Sequence, residues 1–102
     1  MSAIMLGNYK CRTTFWIHFR LADYYGMESI VRTYTRTKEE FKDNVVYMTD
    51  LVMVLKWKQK EHHEAGYEGF AELYNKLWTE ANEFCLNHFS GEDLKYFSEI
   101  AG

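Results

Sequence analysis

The chain contains no proline among its 102 residues, and this absence limits most strongly what it can fold into. Proline is the strongest interrupter of helices, so long helices meet no such break here. Glycine marks the boundaries instead, because Gly26, Gly66 and Gly91 each fall between segments with helical periodicity. The pattern therefore predicts four or five helices that are joined by short turns.

Apolar residues recur at three- and four-residue steps in five segments, which is the spacing of one helix face. We predict helices over about 14–25, 28–42, 44–64 and 68–89, and a short last helix after Ser90. The predicted inward-facing residues, helix by helix, are Phe15, Phe19 and Ala22; Met27, Ile30, Val31, Tyr34 and Phe41; Tyr47, Met48, Leu51, Val54 and Leu55; Phe70, Leu73, Leu77, Ala81, Phe84 and His88; and Leu94, Phe97 and Ile100. Residues 1–13 show no clear period, so a frayed end or a short strand is expected there.

The third and fourth segments are long, and only the turn around Gly66 separates them. They should form an antiparallel helical hairpin over about 44–89. With a rise of about 1.5 Å per residue, residues whose numbers sum to about 132 should face each other. The predicted fold class is all-α: a single domain over 1–102, built as a compact bundle of four to five helices around this hairpin.

Length and composition are those of one globular domain. A chain of 102 residues can bury a core without metal or disulfide help, and its 18% of aromatic residues bury much area each. Cys11 and Cys85 stand in no paired motif, and no signal peptide is visible. The longest apolar run, residues 51–55, is far shorter than a membrane span. We therefore expect a cytoplasmic protein with reduced thiols and no membrane association.

Acidic and basic residues are unevenly divided between the two halves of the chain. Residues 1–60 carry ten Lys and Arg against six Asp and Glu, a balance of +4, whereas residues 61–102 carry two against nine, a balance of −7. Such asymmetry indicates interaction partners more than it indicates a fold. Each half therefore offers one candidate binding surface.

The acidic surface follows the fourth predicted helix, where Glu68, Glu72, Asn75, Thr79 and Glu83 form a polar stripe. We expect a partner-binding acidic face made of seven residues: Glu61, Glu64, Glu68, Glu72, Glu83, Glu92 and Asp93. A negative stripe can dock a basic partner or imitate nucleic acid, although many acidic stripes only keep a protein soluble. Three aromatic residues lie beside the main apolar stripes and are candidate interface anchors: Trp57, Tyr74 and Trp78.

The basic surface lies on the second predicted helix, which carries Arg32, Arg36, Lys38 and Lys42. Ala22 and Gly26 fit the turn of a helix-turn-helix unit. Val31 and Tyr34, however, fall one residue before the usual core positions, and a slip of one residue rotates a helix by about 100 degrees. A small DNA-binding regulator of transcription or transfer is therefore an alternative, with nucleic acid the less expected partner.

Metal and catalytic motifs are weak. Cys85 and His88 have the spacing of a zinc-ligand pair, but the hairpin register puts His62 about 22 Å away along the helix axis. We therefore predict that Cys85 is a core residue, that His88 lies at a helix end, and that His62 and His63 form a solvated helix end. Nucleophile elbows, glycine-rich phosphate loops and facing carboxylate pairs are not found. The expectation is a protein that is not an enzyme, with no metal and no cofactor.

Several short motifs resemble a group of short uncharacterised all-helical proteins that phages and conjugative elements of gut-type bacteria encode. The motifs are Phe15-Trp16, Ala22-Asp23-Tyr24-Tyr25-Gly26, Thr33-Tyr34, residues 47–55 and residues 73–78, and the resemblance covers about residues 14–97. These are packing motifs, so no catalytic or binding residue is carried over. The resemblance implies an accessory protein of a mobile element, a class that includes anti-CRISPR proteins and other inhibitors of host defence.

The sequence thus leads to one expected function and two alternatives. The leading hypothesis is a non-enzymatic interaction module that inhibits a nucleic-acid-handling defence complex of the host, a protein or ribonucleoprotein, through its acidic face. The alternatives are the DNA-binding regulator and a structural homodimer, since helices that are apolar around much of their circumference often pair with a second copy.

Overall fold

The computed structural model describes residues 2–101, with side chains described from Arg12 to Ala101. Five α-helices account for almost all of this range: α1 (Ser2–Tyr25), α2 (Met27–Phe41), α3 (Val45–Ala65), α4 (Glu68–His88) and α5 (Gly91–Ala101). The predicted all-α bundle is confirmed.

The beginning of the chain is helical, and the expectation of a frayed end or a short strand over 1–13 was wrong for residues 2–13. Met1 lies outside the described residues. The segment lacked a clear apolar period, but no proline interrupts it before Tyr25. Once a helix has formed, it can extend through residues that lack an apolar period, because each added residue contributes a backbone hydrogen bond.

Glycine and asparagine set the helix boundaries. Gly66 ends α3 in the left-handed conformation with φ of 86°, and its N–H donates to the carbonyls of the preceding turn. Asn44 precedes α3, and its side-chain Oδ1 accepts a hydrogen bond of 3.1 Å from the backbone N–H of Tyr47. Gly26 separates α1 from α2 at φ of 110° and ψ of −178°. These turns produce the short connections that the sequence predicted.

Helix α3 lies at the centre of the bundle and contacts each of the other four helices. The predicted inward residues Met48, Leu51, Val54 and Leu55 are fully buried. The other sides of its first half are buried too, including Thr49 and Asp50, whereas Lys56, Trp57 and Lys60 farther along are exposed. Because residues 48–55 are covered on nearly every side, this half of α3 needs no single apolar stripe.

The predicted hairpin register is confirmed by two contacts between α3 and α4 and by a third between α4 and the turn that precedes α3. The rings of His62 and Phe70 stack with centroids 5.3 Å apart, and Lys56 Nζ lies 5.3 Å from the Trp78 ring centroid. At the other end, His88 Nε2 lies 2.8 Å from Asp43 Oδ1. Each pair sums to between 131 and 134, close to the predicted 132.

Helix α1 runs in the same direction as α3 and is joined to it at two levels. Arg12 Nε bonds the buried Asp50 carboxylate at 2.9 Å, and Asp23 bonds Lys58 farther along both helices. The predicted stripe of Phe15, Phe19 and Ala22 is buried as expected.

The inward faces of α2 and α4 differ from the prediction. On α2, Met27 and Val31 are exposed, and Thr33 and Thr37 are buried in their place. The deeply buried residues of α4 are Ala71, Tyr74, Leu77, Ala81 and Cys85, so the buried face is turned by about one residue from the predicted stripe. Tyr74 lies on this buried face, and its hydroxyl donates a hydrogen bond to the Asp23 carboxylate on α1.

Candidate functional site

A polar cluster lies where α1, α3 and α4 meet, and Asp23 is at its centre. Its Oδ2 receives Lys58 Nζ at 2.5 Å and His62 Nε2 at 3.0 Å, while its Oδ1 accepts a 2.5 Å hydrogen bond from the Tyr74 hydroxyl. Glu61 completes the group, which we call the Asp23 cluster. Both oxygens of Asp23 thus have strong donors from two other helices.

Lys58 is the most deeply buried charged residue of the Asp23 cluster, with 1% of its surface exposed. Its ammonium lies between Asp23 and Glu61, 2.8 Å from Glu61 Oε1, and 4.7 Å from the Trp16 ring centroid. A buried ammonium needs both opposite charge and hydrogen-bond acceptors, and these groups supply them.

His62 does not belong to a solvated helix end, as the sequence had indicated, since 9% of its surface is exposed. Its ring stacks on Tyr74 at 5.4 Å and donates through Nε2 to Asp23, because a carboxylate can only accept. His63 is exposed as expected, and its Nδ1 lies 3.1 Å from Glu68 Oε2. The two neighbouring histidines therefore have different surroundings.

Tyr74 is fully buried, so its prediction as an exposed interface anchor was wrong. Burial, followed by the hydrogen bond to Asp23 and the negative charge of that carboxylate, raises the pKa of the Tyr74 hydroxyl well above its ordinary value. The hydroxyl therefore remains a proton donor and links α4 to α1. The residue is a structural contact and cannot reach a partner.

The charged groups of the Asp23 cluster are already paired with one another. Ligand atoms of Asp23, Glu61 and His62 lie within 4.8 Å of one another, a spacing that could suit a metal ion. The Lys58 ammonium, however, already occupies the position between the two carboxylates where a cation would bind. With both Asp23 oxygens engaged, the arrangement supplies neither an available base nor a free ligand, and we interpret it as a tie between helices.

A cleft of about 380 Å³ opens beside the cluster, and Arg20, Tyr24 and Tyr67 are among the residues that line it. Glu61 also lines this cleft, on the α1 side of α3. The predicted acidic face is therefore divided, because Glu61 neutralises Lys58 instead of joining the carboxylates of α4.

The predicted polar stripe of α4, which contains three of the seven residues of the acidic face, is exposed. Its five residues are all exposed, and we call them the acidic ridge: Glu68, Glu72, Asn75, Thr79 and Glu83. Glu68 pairs with His63, but Glu72 and Glu83 form no ion pair within the range of described side chains. Three further predicted residues are exposed and equally unpaired among the described residues: Glu64, Glu92 and Asp93.

Glu80, which the sequence did not single out, is a carboxylate of α4 that side chains of α2 engage. Its Oε1 accepts a 2.5 Å hydrogen bond from the buried Tyr34 hydroxyl and lies 3.3 Å from Lys38 Nζ. The hydrogen bond from Tyr34 is the main cause that lowers the pKa of Glu80, with Lys38 adding to it. Glu80 therefore ties α4 to α2, whereas Glu72 and Glu83 remain available.

The predicted nucleic-acid face on α2 is only partly available. Lys38 is engaged by Glu80 and lies 4.7 Å from the Phe84 ring centroid, and Lys42 Nζ lies 3.7 Å from Glu39. Arg32 and Arg36 are exposed and make no ion pair in the part of the chain with described side chains. Two of the four predicted cations are thus already paired with acids, which weakens the DNA-binding alternative.

The two tryptophan anchors do not lie on the acidic ridge. Trp57 is exposed and lines two grooves of about 420 and 410 Å³, one with Trp16 and the other with Lys60 and Ile100. Trp78 is half-buried beneath Lys56, and its Nε1 is buried with no hydrogen-bond partner among the described residues. Any contact through Trp57 would therefore belong to a face with basic neighbours.

Cys85 lies in the core and His88 at a helix end, as the sequence predicted, but His88 is exposed and does not face inward. Cys85 is fully buried in the core, and burial raises the pKa of its thiol to about 12. His88 stands at the end of α4, where its ring stacks on Phe84 at 4.6 Å. The side chain of Cys11 lies outside the described residues.

An exposed apolar stripe on α1 was missed. Ile17, Leu21, Tyr24 and Tyr25 lie on the side of α1 opposite Phe15 and Phe19, with 55%, 57%, 82% and 70% of their surfaces exposed. We call these four residues the outer stripe. The signal was present in the sequence, since 17, 21 and 24 follow the four- and three-residue steps of a second helix face.

Comparison with protein-family models, with curated proteins and with solved structures gives no match for this chain. None of the helices within residues 2–101 combines the length and apolar composition needed to cross a membrane.

Proposed function

We propose that this protein is a non-enzymatic interaction module that binds a basic surface of a partner through the acidic ridge of α4. The observation that carries the proposal is the pairing of the α4 carboxylates. Glu80 accepts a hydrogen bond from Tyr34 and pairs with Lys38, whereas Glu72 and Glu83 are exposed and unpaired among the described residues. Unpaired carboxylates along one helix face steer a basic partner toward it.

The partner class that fits this ridge is a protein that handles nucleic acid, because its binding channel is basic. In the mobile-element context that the sequence motifs suggest, the proposed role is inhibition of a host defence complex, as an anti-CRISPR protein does. Leu86, 47% exposed, follows Glu83 by three residues and adds an apolar contact to the ridge. This contact takes the place of the aromatic anchors expected from the sequence.

The proposal is tested by reversing the two unpaired ridge charges with Glu72→Lys and Glu83→Lys together. Both side chains are exposed, so the variant should fold normally. We expect a partner retained from a bacterial host lysate by the wild-type protein to be lost by the variant. The purified partner should then bind with an affinity that falls steeply with salt.

A matched control carries the same change in charge elsewhere. Glu39→Lys with Glu40→Lys reverses two exposed carboxylates on α2 and should leave binding intact. If both double variants bind the partner as the wild-type protein does, or lose it equally, the ridge is not the binding surface. Nuclease treatment of the lysate separates a protein partner from a bound nucleic acid.

A further inference from the structure

We propose that the outer stripe of α1 is a second interaction surface, and that its partner is an acidic amphipathic helix of another protein. The surface lies on a different helix from the acidic ridge and offers the opposite chemistry. A single chain would then bring together two partners of unlike charge.

The shape of the outer stripe favours a helical partner. Ile17, Leu21 and Tyr24 follow four- and three-residue steps, and Tyr25 widens the stripe at its end. This is the spacing that one helix presents to another in knobs-into-holes packing. Phe15, Phe19 and Ala22 already provide the buried face of α1, so the fold itself does not need a second apolar face.

The charges around the stripe favour an acidic partner. Arg20 and Arg32 are exposed beside it, and neither forms an ion pair with a described side chain. Arg32 lines a cleft of about 580 Å³ together with Tyr25, which places a cation directly at the end of the stripe. Glu28 lines the same cleft, and Asp23 on α1 is engaged by Lys58. The free cations at the stripe therefore outnumber the free carboxylates.

The same charges argue against a second copy of the chain as the occupant. In an antiparallel pair of α1 helices crossing at Leu21, each Arg20 would lie near its own counterpart, and like charges at such positions are destabilising. The apolar Ile17 and Leu21 in turn favour a protein over a nucleic-acid strand, which would need stacking rings along the whole surface.

The test uses two labelled synthetic peptides that form amphipathic helices of three heptads with the same leucine seam. One peptide carries glutamate at the flanking positions and the other carries lysine. Fluorescence anisotropy uses the full chain with Glu72→Gln and Glu83→Gln, because the unpaired ridge carboxylates would themselves attract the lysine peptide. It should show saturable binding of the glutamate peptide and weaker binding of the lysine peptide. Arg20→Glu should reverse this preference.

Leu21→Glu should weaken binding of the glutamate peptide by about tenfold or more, since a loss of this size is typical of a residue at the centre of an interface. Leu86→Glu is the matched control, because Leu86 is an exposed leucine on α4, and it should leave affinity unchanged. Circular dichroism of each variant checks that the fold is retained.

The peptides give two results that would overturn the proposal: no saturable binding of the glutamate peptide, or equal or tighter binding of the lysine peptide. Equal effects of Leu21→Glu and Leu86→Glu on affinity would also overturn it. Displacement of the glutamate peptide by a single-stranded oligonucleotide would do the same. Sedimentation velocity provides the remaining arm of the test. A concentration-dependent dimer that Leu21→Glu abolishes would assign the stripe to a second copy and overturn the proposal as well.

Discussion

Asp23 connects three helices through one carboxylate, and each of its bonds has a different character. Lys58 supplies charge, Tyr74 supplies a neutral hydroxyl and His62 supplies a ring that also stacks. Burying an ion pair stabilises a fold little by itself, because the desolvation cost nearly cancels the attraction. Its specific contribution is geometric, since only one arrangement of α1, α3 and α4 satisfies all the donors.

The Asp23 cluster leads to a prediction about Lys58. Lys58→Met keeps the length of the side chain but removes the charge, so Asp23 and Glu61 lose their common partner. We expect the free energy of unfolding to fall by about 3 kcal/mol, the loss typical of breaking a buried pair from one side. Urea unfolding measures this loss.

A double-mutant cycle with Asp23→Asn provides the control for Lys58→Met. Because the two variants remove the same contact, the double variant should lose clearly less stability than the two single losses added together. Strictly additive losses would contradict direct coupling between Lys58 and Asp23.

Among the helices, the features that depend on spacing along a single helix were predicted from the sequence. Helix ends at Gly66 and the hairpin register follow from turn chemistry and the helical rise, and both were confirmed. Which side of a helix is buried depends also on the helices that pack against it, and this was predicted less well. Thr33 and Thr37 of α2 are buried on the helical line of Ile30, Tyr34 and Phe41, and only their polar hydroxyls kept them out of the predicted inward face.

For the candidate sites too, exposure that follows from one helix was predictable and burial by neighbouring helices was not. Exposure of the acidic ridge could be read from its position opposite Leu77 and Ala81. Burial of Lys58 and His62 could not, because charged and polar side chains are usually exposed. The one signal was spacing, since 51, 55, 58 and 62 continue a single helical line.

Two glycine turns give a prediction at this scale. Neither Gly26 nor Gly66 has an atom within 4 Å of where a Cβ would lie, so substitution by alanine tests backbone conformation alone. Gly66→Ala should cost about 1 kcal/mol, the penalty of the left-handed region. Gly26→Ala should cost more, about 2 kcal/mol, because its φ of 110° with ψ of −178° is a region that only glycine adopts readily.

Thermal or urea unfolding of the two variants measures the difference in cost. Gly66→Asn serves as the control, since asparagine tolerates the left-handed conformation and should cost less than alanine. Equal losses at the two glycines would show that the α1–α2 corner relaxes to another conformation.

For the whole molecule, the tyrosine bonds link helices that flank the central α3. Tyr74 joins α4 to α1 through Asp23, and Tyr34 joins α2 to α4 through Glu80. Since α3 contacts every other helix, the loss of these two hydrogen bonds should lower the stability of the entire bundle. A chain of this size with one core is expected to unfold in a single cooperative transition.

The stability of the whole molecule should therefore decrease at alkaline pH. Burial, with the hydrogen bonds to carboxylates, raises the pKa of both Tyr34 and Tyr74 above the ordinary value of 10.0. Above that pH the unfolded chain releases these protons while the folded chain keeps them, so rising pH favours unfolding. Each tyrosine should reduce the free energy of unfolding by up to about 1.4 kcal/mol per pH unit.

Urea unfolding of a Cys85→Ala background at a series of pH values above 10 measures this slope. The background is needed because the raised pKa of the Cys85 thiol, about 12, would add a loss of the same sign. Tyr34→Phe combined with Tyr74→Phe is the control: it should be less stable at neutral pH, yet its stability should fall less steeply with pH. If the alkaline slope of this variant matches that of its background, the two hydroxyls are not held protonated by the fold, and the links from α4 to α1 and α2 are not what joins the bundle.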